Sequence, residues 1–187
     1  LNDKKEEIER LVKEVQKGDK DAFAKIYDYM VDPLYKYIFY RVSSQQDADD
    51  LLETVFLKIW ENINHYKFKK SSFVAWSFRI AHNLVVDHYR VSKDKFTDEL
   101  SLNLPDLNRQ HNPIRVTQNL FDERTLRIAL SKIKKKYRDI IVYKFVNELS
   151  NQEIAEILNR SEGNLRILQF RALKVLKKEL ENMGISY

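Results

Sequence analysis

The chain has 187 residues, of which 43% are hydrophobic and 33% are charged, with only three glycines and three prolines. This composition supports hydrophobic cores and favours long helices over sheets that need many tight turns. The absence of cysteine excludes disulfides, thiolate metal sites and cysteine nucleophiles, and it is typical of a reducing cytoplasm. We see neither a signal peptide nor an apolar run of membrane-spanning length, so a cytoplasmic protein without membrane insertion is expected.

The net charge of +5 is unevenly distributed along the chain. Residues 1–90 hold 15 Lys and Arg against 15 Asp and Glu, whereas residues 91–187 hold 18 against 13. The excess of positive charge therefore lies entirely in the second half. A basic half favours a polyanionic partner, because phosphate contacts supply the sequence-independent part of nucleic-acid binding.

Apolar residues recur at helical spacing through the first half of the chain and predict four helices. These repeats cover residues 4–17, 19–42, 43–62 and 73–90. We expect Pro33 to break or kink the second helix, because proline lacks the backbone donor that a helix interior needs. Three aspartates crowd the first turn of the third helix, but the glycine and later glutamate of a calcium loop are missing. Compensation of the helix dipole explains these aspartates better than a metal site does.

Basic and aromatic side chains are interleaved between residues 66 and 90. This stretch holds five Lys and Arg and six aromatic residues, with Asp87 as its only acidic residue. Single-stranded nucleic acid requires this mixture, because cations neutralise phosphates while bases stack on flat rings. The alternative is that most of the aromatic residues belong to the core, as the helical spacing of Phe73, Trp76 and Ile80 allows.

From Val91 to about Thr117 the helical pattern dissolves into polar residues with two prolines. The stretch is too long for an ordinary connection within a domain, so we interpret it as a linker. The sequence therefore predicts an all-α protein with two helical domains, residues 1–92 and 119–187, joined by a flexible linker at residues 93–118.

The second domain also predicts four helices, and its last two carry a recognisable signal. Ser150 and Glu153 have the spacing of a capping box, and Asn159-Arg160 interrupts the apolar repeat. Ser161 then begins a longer basic helix. A short helix, a tight turn and a basic helix form a helix-turn-helix, whose second helix can enter a DNA major groove. On this segment alone, an ordinary helical hairpin with a solvated basic face remains the alternative.

The sequence contains no catalytic motif. Its four histidines lack ligand-like spacing, and there is no HExxH, glycine-rich phosphate loop or nucleophile elbow. We therefore expect no enzymatic activity, metal, cofactor or small-molecule substrate.

Three segments of the first half, GDKDAFAKIYDYM, DADDLLETVFLKIW and FVAWSFRIAHNLVVDHYR, resemble regions 2.1 to 2.4 of bacterial sigma factors. LSNQEIAEILNRSEGNLRILQFRALKVLKKEL, in the second half, resembles region 4. Their order, their spacing and the missing middle domain are similar to the extracytoplasmic-function (ECF) group of the sigma-70 family. The resemblance implies a subunit that binds core RNA polymerase and directs promoter-specific initiation.

The resemblance implies three groups of contacts. The third helix would dock on the beta-prime clamp of the polymerase, and the beta flap is a second expected contact of the protein. The polymerase-binding candidates are Asp50, Glu53, Leu57 and Glu61. The loop at residues 65–72 and the following helix would capture a flipped base and the non-template strand of the minus-ten element. The minus-ten candidates are Tyr66, Lys67, Lys69, Lys70, Trp76, Arg79, His82, Asn83 and Arg90. The helix from Glu162 would read the minus-thirty-five element. The minus-thirty-five candidates are Lys144, Asn164, Arg166, Ile167, Phe170, Arg171 and Lys174.

The resemblance also implies an anti-sigma factor that wedges between the two domains. Two other classes of protein remain as alternatives. A stand-alone helix-turn-helix regulator would not need the strand-capturing segment at residues 65–90. A helical adaptor that binds an anti-sigma factor and no DNA would not need Arg166, Arg171 and Lys174. One departure from the family pattern concerns the turn before the helix-turn-helix, where Asn147-Glu148 lacks the frequent glycine.

Overall fold

A computed structural model describes the backbone of residues 2–68, 71–92 and 116–185, all of whose regular structure is helical. The helices are α1 (Asn2–Gln16), α2 (Asp21–Phe39), α3 (Gln45–Asn62), α4 (Phe73–Ser92), α5 (Val116–Lys132), α6 (Lys135–Ile141), α7 (Asn151–Leu158) and α8 (Glu162–Asn182). A 3₁₀ turn, Ile63–His65, follows α3, and a π-helical segment, Val142–Val146, follows α6. The prediction of an all-α chain with two sets of four helices is confirmed.

Two groups of predicted features lie outside the described residues. Lys69 and Lys70, two of the minus-ten candidates, belong to the first group. The second group is the predicted linker at residues 93–118. Only its last three residues, 116–118, are described, and they form the start of α5.

Local signals set the ends of the helices in the first half. Gly18, at φ +103°, ends α1, and the Asp19 carboxylate accepts the backbone N–H groups of Asp21 and Ala22 at 2.9 and 3.2 Å. Ser44 caps α3 by accepting the Asp47 N–H at 3.0 Å. The four helices enclose a core whose fully buried members include Leu11, Ile26, Leu34, Ile38, Ile59, Phe73 and Phe78.

Of the predicted break or kink at Pro33, the break is wrong, because α2 runs without interruption from Asp21 to Phe39, and the kink stays a prediction. Proline in a helix interior costs roughly 3 kcal/mol. Met30, Leu34 and Tyr37 flank it and are buried, and each such side chain stabilises the fold by about 1.5–3 kcal/mol. Tertiary burial on both sides of the proline therefore outweighs its local cost.

The helix-turn-helix is present as predicted. Ser150 Oγ accepts the Glu153 N–H at 3.2 Å, and the Glu153 carboxylate accepts the Ser150 N–H at 2.9 Å, which completes the capping box. Asn159 ends α7 in the left-handed region at φ +50°. The turn before α7 also keeps a left-handed residue, Glu148 at φ +53°, where a glycine would avoid a cost of roughly 1–2 kcal/mol.

The two sets of helices contact each other. Helix α4 packs against α7, and the end of α2 packs against the segment Val142–Val146. Buried residues of both sets therefore belong to one continuous hydrophobic cluster.

Candidate nucleic-acid and polymerase interfaces

The four polymerase-binding candidates lie along one side of α3, because their spacing of three and four residues matches the helical repeat. All four side chains are exposed to solvent. Leu57 is 56% exposed and is the apolar member of the four. The structure thus brings an apolar side chain and three carboxylates together on an unoccupied face of the helix.

An aromatic groove beside this face is a feature that sequence reasoning missed. Trp60 is 41% exposed, and its ring lies 4.8 Å from that of Phe23. Tyr27 of α2 is 42% exposed and lines the same groove. Exposed aromatic residues in a cluster mark a contact surface more often than scattered ones do.

Tyr66 belongs to the core, which contradicts the prediction that it contacts DNA. Only 5% of its surface is exposed, and its ring lies between those of Phe68, Phe73 and Trp76. Its hydroxyl lies 2.9 Å from the Glu9 carboxylate and 2.7 Å from the Ser71 carbonyl oxygen. Burial and the negative charge of Glu9 raise the pKa of Tyr66. Tyr66 therefore holds the loop in place, while the neighbouring Lys67 is exposed.

Helix α1 supplies further residues that hold this loop. Glu9 Oε1 accepts the Phe73 N–H at 2.8 Å and so caps α4 from a distant part of the chain. The Gln16 amide donates to the carbonyl oxygens of Ile63 and Tyr66 at 2.7 and 3.1 Å. The spacing of Glu9 and Gln16 puts both on one face of α1. This spacing was visible in the sequence, but an amphipathic pattern assigns such polar residues to solvent.

Replacing Glu9 with alanine is expected to lower the free energy of unfolding by about 2 kcal/mol, because a buried hydroxyl and a helix end each lose a charged acceptor. Glu9→Gln keeps an oxygen acceptor and should recover most of that loss. Urea unfolding followed by circular dichroism measures the free energy of unfolding of both Glu9 variants. Glu6→Ala, at an exposed position on the same helix, is the control. Equal stability of the alanine variant and the wild type would show that these bonds do not hold the loop.

The structure divides the minus-ten candidates of α4 into two groups. Asn83 and Arg90 are exposed, and Trp76 is half-buried against the core. Arg79 is also exposed, but it and the partly buried His82 contact the second set of helices. Arg79 Nη2 donates to the Glu156 carbonyl oxygen at 2.6 Å, and His82 Nδ1 lies close to two tyrosine hydroxyls. Only part of the predicted strand-capturing face is therefore free.

His82 lies between tyrosines from both sets of helices. Its Nδ1 is 3.2 Å from the Tyr37 hydroxyl and 3.0 Å from the Tyr143 hydroxyl. Burial, followed by the positive charges of Arg41 and Lys135, lowers the pKa of His82 to about 4. The contact with the two tyrosine hydroxyls therefore favours the neutral imidazole.

Acid is expected to weaken the packing around His82. Its pKa is depressed in the folded chain, so the stabilisation is fully present above the ordinary value of about 6.5 and is lost as the pH falls toward about 4. The loss is at most about 1.4 kcal/mol per pH unit, since water reaches part of the ring. An NMR titration of the His82 imidazole measures its pKa directly, and His82→Gln is the control that assigns the signal. A midpoint at or above 6.5 would contradict this account.

Six of the seven minus-thirty-five candidates lie on α8, and all six are exposed. Ile167 and Phe170 are 54% and 72% exposed, while Leu165 is fully buried beneath them. Gln169 fixes the helix against α7 through a 2.8 Å bond to Asn151 Oδ1. Leu173, which is not one of the candidates, is 44% exposed.

Lys144 is the seventh minus-thirty-five candidate, and it occupies a different setting. It lies in the π-helical segment, is half-buried, and donates from Nζ to the Leu149 carbonyl oxygen at 3.2 Å.

Within the described part of the chain, no group of His, Asp and Glu side chains could hold a metal ion. None of the described helices is both long enough and apolar enough to span a membrane.

Comparison with known proteins matches both sets of helices to one family. The family model for Sigma-70 region 2 matches residues 26–94, and the model for Sigma-70, region 4 matches residues 124–176. The ECF RNA polymerase sigma factor SigW of Bacillus subtilis is 30% identical over 94% of this chain and 98% of its own. The ECF sigma factor BldN of Streptomyces coelicolor is 29% identical over 91% of this chain, which spans 64% of BldN.

Solved structures show the same fold. CnrH, in complex with the cytosolic domain of CnrY, superposes with a TM-score of 0.70 at 20% identity, covering 92% of this chain and 96% of CnrH. RpoE of Bartonella quintana, in complex with the anti-sigma factor NepR, gives a TM-score of 0.68 at 19% identity, covering 87% and 98%.

The helical fold and the exposed basic helix of the helix-turn-helix define a DNA-binding transcription factor. The chain belongs to the ECF group of the sigma-70 family, and it directs transcription as an alternative sigma factor. The resemblance drawn from its motifs is thus confirmed. The expectation of a non-enzymatic protein fits this family of regulators.

Proposed function

We propose that this sigma factor reads its promoter at two places and docks on core RNA polymerase at a third. Residues 1–92 would dock through α3 and capture the minus-ten strand, and residues 119–187 would read the minus-thirty-five duplex, with residues 93–118 as the linker. The observation that carries the proposal is the exposure of six candidate side chains on α8, a helix whose other side buries Leu165 and Ala172.

The exposed face of α8 has the chemistry that a major groove requires. Arg166 and Arg171 present planar donors that bond two acceptors of a guanine edge, and Lys174 can neutralise a phosphate. Ile167 and Phe170 are apolar and exposed, which suits the methyl groups of thymine. The first turns of such a helix contact base edges and read the sequence. The cations further along it contact phosphates and fix its position on the DNA.

The acidic and apolar face of α3 suits a protein partner better than DNA. Asp50, Glu53 and Glu61 would repel phosphates, whereas Leu57 offers an anchor for a groove on the polymerase clamp. The aromatic groove around Trp60 extends this surface. We also propose the beta flap of the polymerase as a second contact of the sigma factor.

Strand capture would use the exposed part of the α4 surface and its loop. Lys67, Asn83 and Arg90 are open to solvent, and Trp76 offers part of one ring. Unstacking a base costs a few kcal/mol, and stacking on an aromatic ring recovers about 1–3 kcal/mol per base. We no longer assign a DNA contact to Tyr66, whose role is to hold the loop.

An anti-sigma factor is a further expected partner. The structures of CnrH and RpoE were determined with the cytosolic domain of CnrY and with the anti-sigma factor NepR. The likeness of this chain to both supports a similar inhibitor here. A protein that works with RNA polymerase acts in the cytoplasm, which we propose as its location.

Replacing Asn83 with alanine is expected to impair strand opening and leave minus-thirty-five binding intact, because the exposed amide lies on the strand-capturing face alone. Permanganate footprinting of a polymerase complex on a promoter that the wild type transcribes measures the opening. The exposed Asn182→Ala at the end of α8 is the matched control. An unchanged footprint for the Asn83 variant would remove this role from α4.

A further inference from the structure

One polar face of α1 lies against the loop between α3 and α4, which the structure describes at residues 63–68 and 71–72. Glu9, Lys13 and Gln16 form this face, because their spacing of four and three residues matches the helical repeat. We call these three residues the α1 brace. The apolar side of α1 packs into the core, which leaves the α1 brace free to contact the loop.

The α1 brace fixes the first part of the loop. The Gln16 amide donates to the carbonyl oxygens of Ile63 and Tyr66 at 2.7 and 3.1 Å. One side chain thus bridges two backbone groups of an irregular segment. Further along, Lys13 Nζ lies 5.2 Å from the centre of the Phe68 ring, within the range of a cation–π contact. Both the backbone and a ring of the loop are therefore tied to α1.

Glu9 fixes the end of the loop. Its carboxylate accepts the Phe73 N–H at 2.8 Å and lies 2.9 Å from the Tyr66 hydroxyl. That hydroxyl in turn lies 2.7 Å from the Ser71 carbonyl oxygen. Because Glu9 and Gln16 are about two helical turns apart, they hold the loop at two levels. The loop cannot shift along α1 without breaking one of these contacts.

The contacts with α1 decide which loop side chains face solvent. Tyr66 and Phe68 pack toward α1 and the core, and only 5% of Tyr66 is exposed. Asn64, His65 and Lys67 are exposed, and all three are polar. Hydrogen-bonding groups and a positive charge are thus presented on the outer side of the loop, where a nucleotide can reach them.

A base flipped out of a DNA strand binds best to a surface that is already ordered. Binding to a flexible loop costs the entropy of ordering it, whereas a loop held in its bound conformation avoids that cost. Discrimination between bases also requires the contacting groups to be held within roughly 0.5 Å. A hydrogen bond adds little net stability, because it replaces a bond to water, but it does fix geometry. The bonds of the α1 brace are therefore suited to positioning.

We propose that the α1 brace is a positioning element for promoter recognition, which holds the loop in the conformation that receives the flipped base of the minus-ten element. It acts on the preference among bases through the loop and not by contacting DNA. This inference rests on the proposed function, which assigns base capture to the loop. It adds α1, a helix outside the three predicted groups of contacts, to the residues that determine minus-ten selectivity.

Hydrogen exchange of the free chain tests the α1 brace without DNA. Gln16→Glu keeps the size of the side chain but removes both donated bonds and places a carboxylate beside two carbonyl oxygens. Amide exchange in a peptide that covers residues 63–72 should become about tenfold faster, because each lost bond lowers the cost of opening. Lys17→Gln, at the exposed neighbouring position, lowers the charge by the same single unit and should leave exchange unchanged.

Strand binding by the complex with core RNA polymerase tests the role in recognition. The probe is a fluorescent non-template oligonucleotide with the minus-ten element of a promoter that the wild type transcribes, together with strands that each differ from it at one base. Gln16→Glu should bind the native strand about tenfold more weakly and should discriminate less between the strands. Its affinity for the minus-thirty-five duplex should equal that of the wild type.

Two further comparisons separate positioning from overall stability. Val15→Ala removes buried methyl groups from another side of α1, so it should lower the stability of the fold and leave the preference among bases unchanged. Glu9→Ala should reduce that preference, and Glu9→Gln, which keeps an oxygen acceptor, should restore most of it. An equal loss of preference in Val15→Ala and Gln16→Glu would overturn the positioning role, because general destabilisation would explain both.

Lys67→Ala distinguishes failure of this inference from failure of the proposed function, because Lys67 is an exposed residue of the loop itself. If Lys67→Ala weakened strand binding and Gln16→Glu did not, the loop would capture the strand without help from α1, and the positioning role would be overturned. If neither variant changed strand binding, base capture by the loop would be wrong as well.

Discussion

Replacing Arg166 with alanine is expected to weaken binding to the minus-thirty-five duplex by about 5- to 150-fold, or 1–3 kcal/mol, at constant salt. Arg166 is exposed in the first turns of α8, where a recognition helix meets base edges. No described hydrogen bond or ion pair holds its side chain against the rest of the domain, so the fold should be unaffected. Fluorescence anisotropy with promoter and scrambled duplexes measures the loss.

A matched control separates base reading from charge. Lys178 is exposed on α8 one turn after Lys174, and Lys178→Ala removes the same charge roughly 18 Å along the helix from Arg166. It should leave discrimination between the two duplexes unchanged. If Arg166→Ala lowered the affinity for both duplexes equally, Arg166 would be a phosphate contact. If it also abolished polymerase binding, the assignment of α8 to DNA would be wrong.

Replacing Leu57 with aspartate is expected to reduce affinity for core RNA polymerase by about 30-fold or more. Residues that anchor an interface lose about 2 kcal/mol or more on truncation, and a new carboxylate adds the cost of burying a charge. Leu57 is 56% exposed in the free chain, so its replacement should leave the free energy of unfolding nearly unchanged. Biolayer interferometry with immobilised core polymerase measures the affinity.

Tyr29→Asp is the control for the Leu57 prediction, because Tyr29 is a large exposed side chain on α2, at 39%, outside the aromatic groove. Similar losses for both variants would mean that polymerase does not dock on α3 specifically. An unchanged affinity for Leu57→Asp would move the docking surface elsewhere.

Local signals account for the parts of the fold that the sequence predicted well. Caps such as Ser44 and the pair Ser150 and Glu153 act within one helical turn, so the side chain and its partner are neighbours in the sequence. The exposed face of α8 was predictable for the same reason, since a single amphipathic helix shows which residues avoid its buried stripe.

Long-range contacts account for the failures. Tyr66 looked like a stacking platform because it stands among lysines, but its partner Glu9 lies 57 residues earlier in the sequence. Pro33 looked like a helix breaker because its local sequence does not show the burial against other helices that offsets its cost. Arg41 and Asp139 resemble surface charges in the sequence, and only the packing of two domains buries them together.

Transcription in vitro with purified core RNA polymerase and a promoter library tests the central claim most directly. Sequencing the transcripts should show start sites downstream of a shared minus-ten and minus-thirty-five pair at constant spacing, in reactions that contain this sigma factor and not in those with core polymerase alone. Tight duplex binding by the protein by itself, with no promoter-specific transcript, would contradict the account and favour a stand-alone helix-turn-helix regulator.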